Sequence, residues 1–293
     1  MFFYILYKIG YIIANALPLG AAYWVAEVFS NIQYSVAKKD RDAVLQNLSI
    51  LLKKDKKECR VLAQQVFRNF GLYLVDFFRM RRLDKEAVKK RVTVEGIENI
   101  DRVLAQNKGV IALTCHIGNW EMGGVVMGIK GYNISAVVLN HKHKSINDFF
   151  IRQREEKGLK AIPMSSVMKR CVSTLLNKEI LALAGDRDFT NSGIKLDFFG
   201  MHTNIPKGPA ALSLKTDSPI VPAFFIREDR FNYRFIFDNP IEAKKRPDTK
   251  EDDLIRETTQ EFVSVMEGYI RRYPEQWLLF RRFWEVPQDA FVI

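Results

Sequence analysis

The stretch Gly109-Val-Ile-Ala-Leu-Thr-Cys-His-Ile-Gly-Asn-Trp-Glu121 constrains this chain more than any other. It reads as a buried strand over 110–114 that ends in a polar turn holding His116 and Glu121. Their offset puts the two side chains on different faces of a helix and on opposite sides of a strand. They meet only if the chain turns between them. Gly118 and Asn119 permit the turn, since both tolerate positive φ and Asn119 can cap a following helix. The sequence therefore predicts an imidazole beside a carboxylate at the C-terminal end of a strand, where open α/β sheets build their sites. A carboxylate on one ring nitrogen fixes the tautomer and raises the basicity of the other, which suits a general base for a hydroxyl. The bare spacing is weakly specific. His143 and Asp148 repeat it in a lysine-rich stretch with no apolar strand before it. For His116 the alternative is a hydrogen-bonded histidine at a strand end.

Around this stretch, short apolar runs alternate with helical spacing. Strands are expected at 135–140, around Ile162, and at 180–184, 219–226 and 233–238. Helices are expected at 121–129, 147–157, 166–177 and 251–272. The alternation predicts an α/β fold with a mixed, mainly parallel sheet flanked by helices. Before it, 54–82 reads as one long amphipathic helix with Leu62, Val66, Phe70, Tyr73, Leu74, Phe77 and Phe78 on one face. It ends in Arg79-Met-Arg-Arg82, a basic cluster suited to phosphate.

The first 34 residues differ from the rest. Residues 9–26 carry no charge, which is close to the ~20 residues of a bilayer span. Tyr4, Tyr7, Tyr11, Tyr23 and Trp24 suit a membrane interface. Pro18-Leu-Gly20 would break the run into two in-plane helices. We therefore divide the chain into a membrane anchor over 1–34, spanning or in-plane, and a catalytic domain over 35–293. The other reading is an apolar helix packed on the domain itself.

A net charge of +11 favours an anionic partner: nucleic acid, an acidic membrane surface, or acidic substrates and carriers. The apolar N-terminus selects the membrane over nucleic acid. Cys59, Cys115 and Cys171 are odd in number and widely spaced, so they form neither a disulfide framework nor a metal-ligand pattern. Cys115 adjoins His116, but strand neighbours face opposite ways, so it reads as a small buried residue.

Three other polar stretches stand out. Arg152-Gln-Arg154-Glu-Glu-Lys-Gly158 closes a helix with cations, which suits either function or the helix dipole. Leu183-Ala-Gly-Asp186-Arg-Asp188 places two acids after a buried strand, to hold a turn, a neighbouring Arg or a site. An apolar loop from Asp197 leads to Pro206-Lys207-Gly208-Pro209, where a helix start beside Lys207 suits a phosphate or an oxyanion, or is simply a well-made start.

In this order, these stretches resemble the bacterial lipid A biosynthesis acyltransferases, the late lauroyl/myristoyl-type branch of the lysophospholipid acyltransferase superfamily. The resemblance covers most of the chain. It rests on His116-Ile-Gly-Asn-Trp-Glu121, Arg154 with Gly158, Asp186, Phe198-Phe-Gly200, Pro206 to Ala210, and Gln276-Trp277 with Arg281-Arg282-Phe283. It implies a glycerolipid acyltransferase-like fold. It also implies a membrane-bound monomer on the cytoplasmic face of a bacterial inner membrane. Such an enzyme moves a fatty acyl chain from acyl-carrier protein or coenzyme A to a hydroxyl of a lipid A precursor or related glycolipid, without cofactor or metal. His116 then resembles the general base and Glu121 its orienting partner. Arg154, Asp186, Lys207 and Asn119 become candidates for substrate contact. Two departures concern the acceptor: Asn140-His141 stands where the family often has Arg-Pro, and Asp186-Arg187 where it often has Asp-Gln. The acceptor need not be a lipid A precursor. Hydrolysis of a thioester or ester by the same base is the other chemistry, and a non-catalytic basic membrane module is the other class.

Overall fold

The computed structural model describes residues 2–139, 144–188 and 192–284. Asn140, His141 and His143 lie outside the described residues. Four helices come first: α1 (Phe2–Ala16), α2 (Leu19–Val36), α3 (Lys38–Leu52) and α4 (Arg60–Phe78). Then α5 (Lys85–Arg91), β1 (Val92–Glu95), α6 (Glu98–Ala105), β2 (Val110–Thr114), α7 (Trp120–Ile129), β3 (Ile134–Val138), α8 (Lys144–Glu155), β4 (Leu159–Pro163), α9 (Val167–Leu176) and β5 (Ile180–Ala184) alternate. The chain continues through β6 (Ile194–Phe198), β7 (Met201–Ile205), α10 (Gly208–Thr216), β8 (Ile220–Arg227), β9 (Tyr233–Phe237) and α11 (Glu251–Arg272).

Seven strands form one sheet in the order β1-β9-β8-β2-β5-β3-β4. The pairs from β8 to β4 are parallel, and among the described strands of this sheet the antiparallel pair is β8 with β9, which reverses the edge formed by β9 and β1. Side chains alternate across a strand, so a strand buried on both faces must be apolar throughout. In β2, Ile111 and Leu113 enter one core while Val110 and Ala112 enter the other. In β8, Ile220, Phe224 and Ile226 face the first core, and Val221, Ala223 and Phe225 the second. Helix α4 supplies Val66 and Phe67 to one core and Val75, Phe77 and Phe78 to the other.

Two expectations change here. The loop expected after Asp197 is an antiparallel hairpin of β6 and β7, turning at Phe199-Gly200 with φ of 57° and 78°. Leu196, Phe198 and Ile205 point inward on alternate positions, and α11 anchors the turn through Glu267, which accepts from the Phe199 N–H at 2.5 Å. The basic cluster at the end of α4 is structural. Arg79 donates to the carbonyls of Ala14 and, at 2.9 Å, Leu17; Arg82 donates to the Asn15 carbonyl at 2.6 Å. These cations satisfy carbonyls that the end of α1 leaves open.

The N-terminal apolar run is two helices, because Pro18 has no N–H to continue α1. Among the described residues, no helix is long and apolar enough to cross a membrane. Both helices pack on α4. At Gly71 of α4 an added Cβ would lie 2.2 Å from the Ser30 hydroxyl of α2, so only glycine permits that approach. A buried polar cluster fixes the contact: Asp76 of α4 accepts from Tyr23 of α2 at 2.5 Å, from Tyr233 of β9 and from Arg227 of β8. The outer faces stay bare. Ile5, Leu6, Ile9 and Ile12 are exposed on α1; Trp24 (62%), Val28, Phe29 (62%), Ile32 and Val36 (74%) are exposed on α2.

Candidate active site

Strands β2 and β5 lie side by side and parallel, with Thr114 paired to Ala184. The Gly185 N–H donates to the Thr114 carbonyl at 2.8 Å, so the register continues past the strand ends. His116 and Asp186 each lie two residues beyond that last pair. Their juxtaposition follows from strand register, not from local spacing. The His116 Nδ1 lies 2.7 Å from Asp186 Oδ1, and the His116 backbone N–H donates to Oδ2 at 3.0 Å. Trp277 Nε1–H donates to the same Oδ2 at 3.2 Å.

Asp186 is 0% exposed. Burial alone would push its carboxyl up. The charge of His116, the hydrogen bonds from its ring and backbone, and the Trp277 indole outweigh that and hold it below the usual carboxylate range. A carboxylate held ionised accepts from Nδ1–H and so leaves Nε2 as the basic nitrogen. The expected carboxylate for the imidazole was Glu121, and the structure corrects this. Asp186 occupies Nδ1 and is too enclosed to be the substrate contact expected of it.

Glu121, in the first turn of α7, faces Arg154, in the last turn of α8. Arg154 Nε and Nη2 reach its two carboxylate oxygens at 2.7 and 2.5 Å. The rings of Phe77 and Phe150 lie 5.5 and 5.9 Å from the guanidinium carbon. Burial would ease the proton off Arg154, but the Glu121 charge and hydrogen bonds raise its pKa instead. This cation is locked to its carboxylate.

The turn between His116 and Glu121 is built much as its sequence requires. Gly118 has φ of 60°, and a Cβ there would lie 2.1 Å from the Phe225 carbonyl oxygen. Asn119 caps α7, its side-chain oxygen accepting from the Met122 N–H at 3.1 Å. The segment after α11 secures the turn from the other side: Gly118 N–H donates to the Gln276 carbonyl and Leu278 N–H to the His116 carbonyl. Gln276 also exchanges two 2.9 Å hydrogen bonds with the backbone of Arg227 at the end of β8.

His116, Glu121 and Arg154 all line a cavity of about 790 Å³. Its walls are mostly apolar, with Val137, Val138, Leu159, Leu183 and Leu278 among them, and Arg187 and Arg281 add two guanidinium groups. Trp120 lies with its ring centroid 4.9 Å from that of His116 and stacks on Tyr73 at 4.9 Å. Two expected substrate contacts do not reach this cavity. Asn119 is 2% exposed, its side-chain oxygen caps α7, and it is absent from the cavity wall; Lys207 sits at the N-cap of α10 and is likewise absent from that wall. Cys115 is buried facing away, and burial pushes its thiol well up, as suits a packing residue. Trp277 and Tyr73 were not singled out for the site. The only signal for Trp277 was an indole inside a polar tail, because a buried indole N–H needs an acceptor.

Comparisons with known proteins find acyltransferases. The phosphatidylinositol mannoside acyltransferase of Mycolicibacterium smegmatis is 23% identical over 285 residues, covering 95% of this chain and 90% of that one. Its Mycobacterium tuberculosis counterpart is 28% identical over 160 residues, and there the match covers 53% of this chain and spans only 51% of the relative. The lipid A biosynthesis palmitoleoyltransferase of Escherichia coli is 25% identical over 263 residues, covering 88% of this chain and 81% of that one. A family model described as bacterial lipid A biosynthesis acyltransferase matches residues 1–285, which takes in both strand ends, the cavity walls and the tail that braces them, and the chain belongs to that family.

Proposed function

We propose that this protein transfers a fatty acyl chain from a thioester donor, acyl-carrier protein or coenzyme A, to a hydroxyl of a glycolipid. The observation that carries this reading is the His116–Asp186 pair at the edge of a large apolar cavity. The acceptor hydroxyl gives its proton to His116 Nε2 as its oxygen attacks the thioester carbonyl. Asp186 stabilises the imidazolium that forms. Collapse of the tetrahedral intermediate expels the donor thiolate, which takes the proton back from His116. The apolar walls accept the acyl chain and keep water from competing for the thioester. Glu121 and Arg154, bound to each other, shape the polar side of the cavity and position the acceptor.

Relatives named for phosphatidylinositol mannosides and for lipid A support a glycolipid acceptor. The exposed apolar faces of α1 and α2 support binding in the plane of a membrane, with the outer side chains in the interface. A net charge of +11 supports the cytoplasmic face of a bacterial inner membrane and an acidic carrier protein as donor.

The test uses purified protein, glycolipid-containing vesicles and radiolabelled acyl-carrier protein. Transfer should require the glycolipid, and His116→Ala should lose it by at least ~10³-fold while vesicle binding is retained. Undiminished transfer by His116→Ala would sink the mechanism. Acyl release at equal rate without glycolipid would make the protein a hydrolase.

A further inference from the structure

Asn47 is out of place by local rules. It sits in the middle of α3, where asparagine is a poor helix former, and it is buried. A buried amide there needs partners beyond its own helix. Asn47 finds them in the backbone of the tail that follows α11. Its side-chain N–H groups donate to the Arg281 carbonyl at 2.8 Å and the Leu279 carbonyl at 3.3 Å. Its oxygen accepts from the Phe283 N–H at 2.9 Å. Leu279, Arg281 and Phe283 are alternate residues of the chain. One neutral fork carrying both donors and an acceptor can serve all three, which a carboxylate or an ammonium cannot.

The tail is a wall of the cavity. Leu278, Leu279, Phe280 and Arg281 all line it, whereas Asn47 does not. The start of that wall holds His116 and Asp186. Leu278 N–H donates to the His116 carbonyl at 2.8 Å, and the Trp277 indole donates to Asp186. The two sets of bonds adjoin, since Asn47 holds Leu279 and His116 holds Leu278. Apolar contacts support the same segment: the Phe280 ring lies 4.9 Å from those of Phe67 and Phe70. Such burial is non-directional and lets a segment slide. Hydrogen bonds to three backbone groups fix the register of the tail along α3.

We propose that Asn47 is a positioning residue for acyl transfer. Through the tail it sets where Trp277 and Leu278 meet Asp186 and His116. Without its amide, two carbonyls and one N–H of the tail lose a partner, and the segment can shift within its apolar contacts. The Trp277 bond to Asp186, at 3.2 Å, is already at the long end for N–H···O, so a small shift breaks it. The consequence for turnover rests on the acyl-transfer reading. The contact itself can be followed in the resting protein.

The full-length protein in detergent micelles serves the first measurement, hydrogen exchange by NMR. The Trp277 indole N–H is assigned by its loss in Trp277→Phe. In Asn47→Ala it should exchange at least ~10-fold faster relative to the central amides of β2. A general loss of stability would speed both and leave their ratio unchanged. The second measurement is transfer from radiolabelled acyl-carrier protein to glycolipid vesicles, at a temperature where the variant is fully folded. There kcat should fall about tenfold, and the same substitution should cost less in a Trp277→Phe background. Asn47→Ser gives the same reading should Asn47→Ala fail to fold. An unchanged exchange ratio, a wild-type kcat, or an equal loss of kcat in both backgrounds overturns the proposal. Faster indole exchange alongside full transfer by His116→Ala would sink the catalytic reading and leave the tail contact standing.

Discussion

Two basic side chains in the wall of one cavity each hold a carboxylate, and the pairs are built for different work. Asp186 is sealed, receives three N–H groups, and holds a partner whose other nitrogen can still take a proton. Glu121 is bound through both oxygens to a guanidinium that cannot release one. The first pair is a fixed anion tuning a titratable base. The second is a fixed dipole in the wall. Both carboxylates sit near the C-terminal ends of strands and both look catalytic in sequence. What separates them is the pKa range of the partner and the number of donors on the acid.

The sharpest way to break the contrast is Asp186→Asn. The amide keeps an acceptor for one N–H but can offer its own N–H₂ to Nδ1. The imidazole then carries its proton on Nε2 and is no longer a base for the hydroxyl. We expect kcat to fall on the order of 10³–10⁴-fold, with the protein still folded by circular dichroism. A loss under about tenfold would remove Asp186 from the mechanism and return the orienting role to Glu121.

The second comparison uses Glu121→Gln. It strips the counter-charge from a guanidinium that is mostly buried, with a side chain 9% exposed. Breaking such a pair costs about 3 kcal/mol, so the melting temperature should drop. Activity should drop on the order of 10²-fold as Arg154 leaves its place. The double variant Glu121→Gln/Arg154→Met should recover much of the stability, because no buried cation is left alone. If Glu121→Gln is as stable as wild type and as inactive as Asp186→Asn, the two pairs are not doing separate work.

Much of this fold was legible because the central strands are buried on both faces and therefore uniformly apolar. The ranges 110–114, 180–184 and 251–272 match β2, β5 and α11. The β6–β7 hairpin was missed, although Ile194, Leu196 and Phe198 alternate with Lys195 and Asp197; the paired aromatic residues at its turn masked the period. In the site, His116, Glu121 and Arg154 were legible as residue types at strand and helix ends. Their pairing was not. The local reading sought a carboxylate within a few residues of His116. The actual partner is set by the parallel register of β2 with β5, which brings positions 70 residues apart in sequence side by side. Helix packing pairs Glu121 with Arg154 in the same non-local way. Lys207 had a helix start beside it, but nothing in sequence states which cavity a helix start faces.

The smallest expected effect is also the most selective. Trp277→Phe removes one of the three donors on Asp186 and keeps most of the ring contacts with Phe198 and Phe283. A hydrogen bond to a charged acceptor contributes about 1.5–3 kcal/mol, and the lower figure corresponds to a fall in activity of about tenfold. The folded Asp186 lies below its unfolded value, so its contribution to stability is present above ~pH 4 and is lost as pH falls through the folded value. Losing the indole donor raises that folded value toward the unfolded one. The acid-unfolding midpoint of Trp277→Phe should therefore move to higher pH, while stability near neutral pH falls only by the lost bond and some packing. In an Asp186→Asn background the same substitution should change activity and acid midpoint far less, because the charge that the indole stabilises is gone. If Trp277→Phe is equally costly in both backgrounds, the indole acts through packing of the tail alone, and the carboxylate owes its ionised state to the ring and backbone of His116.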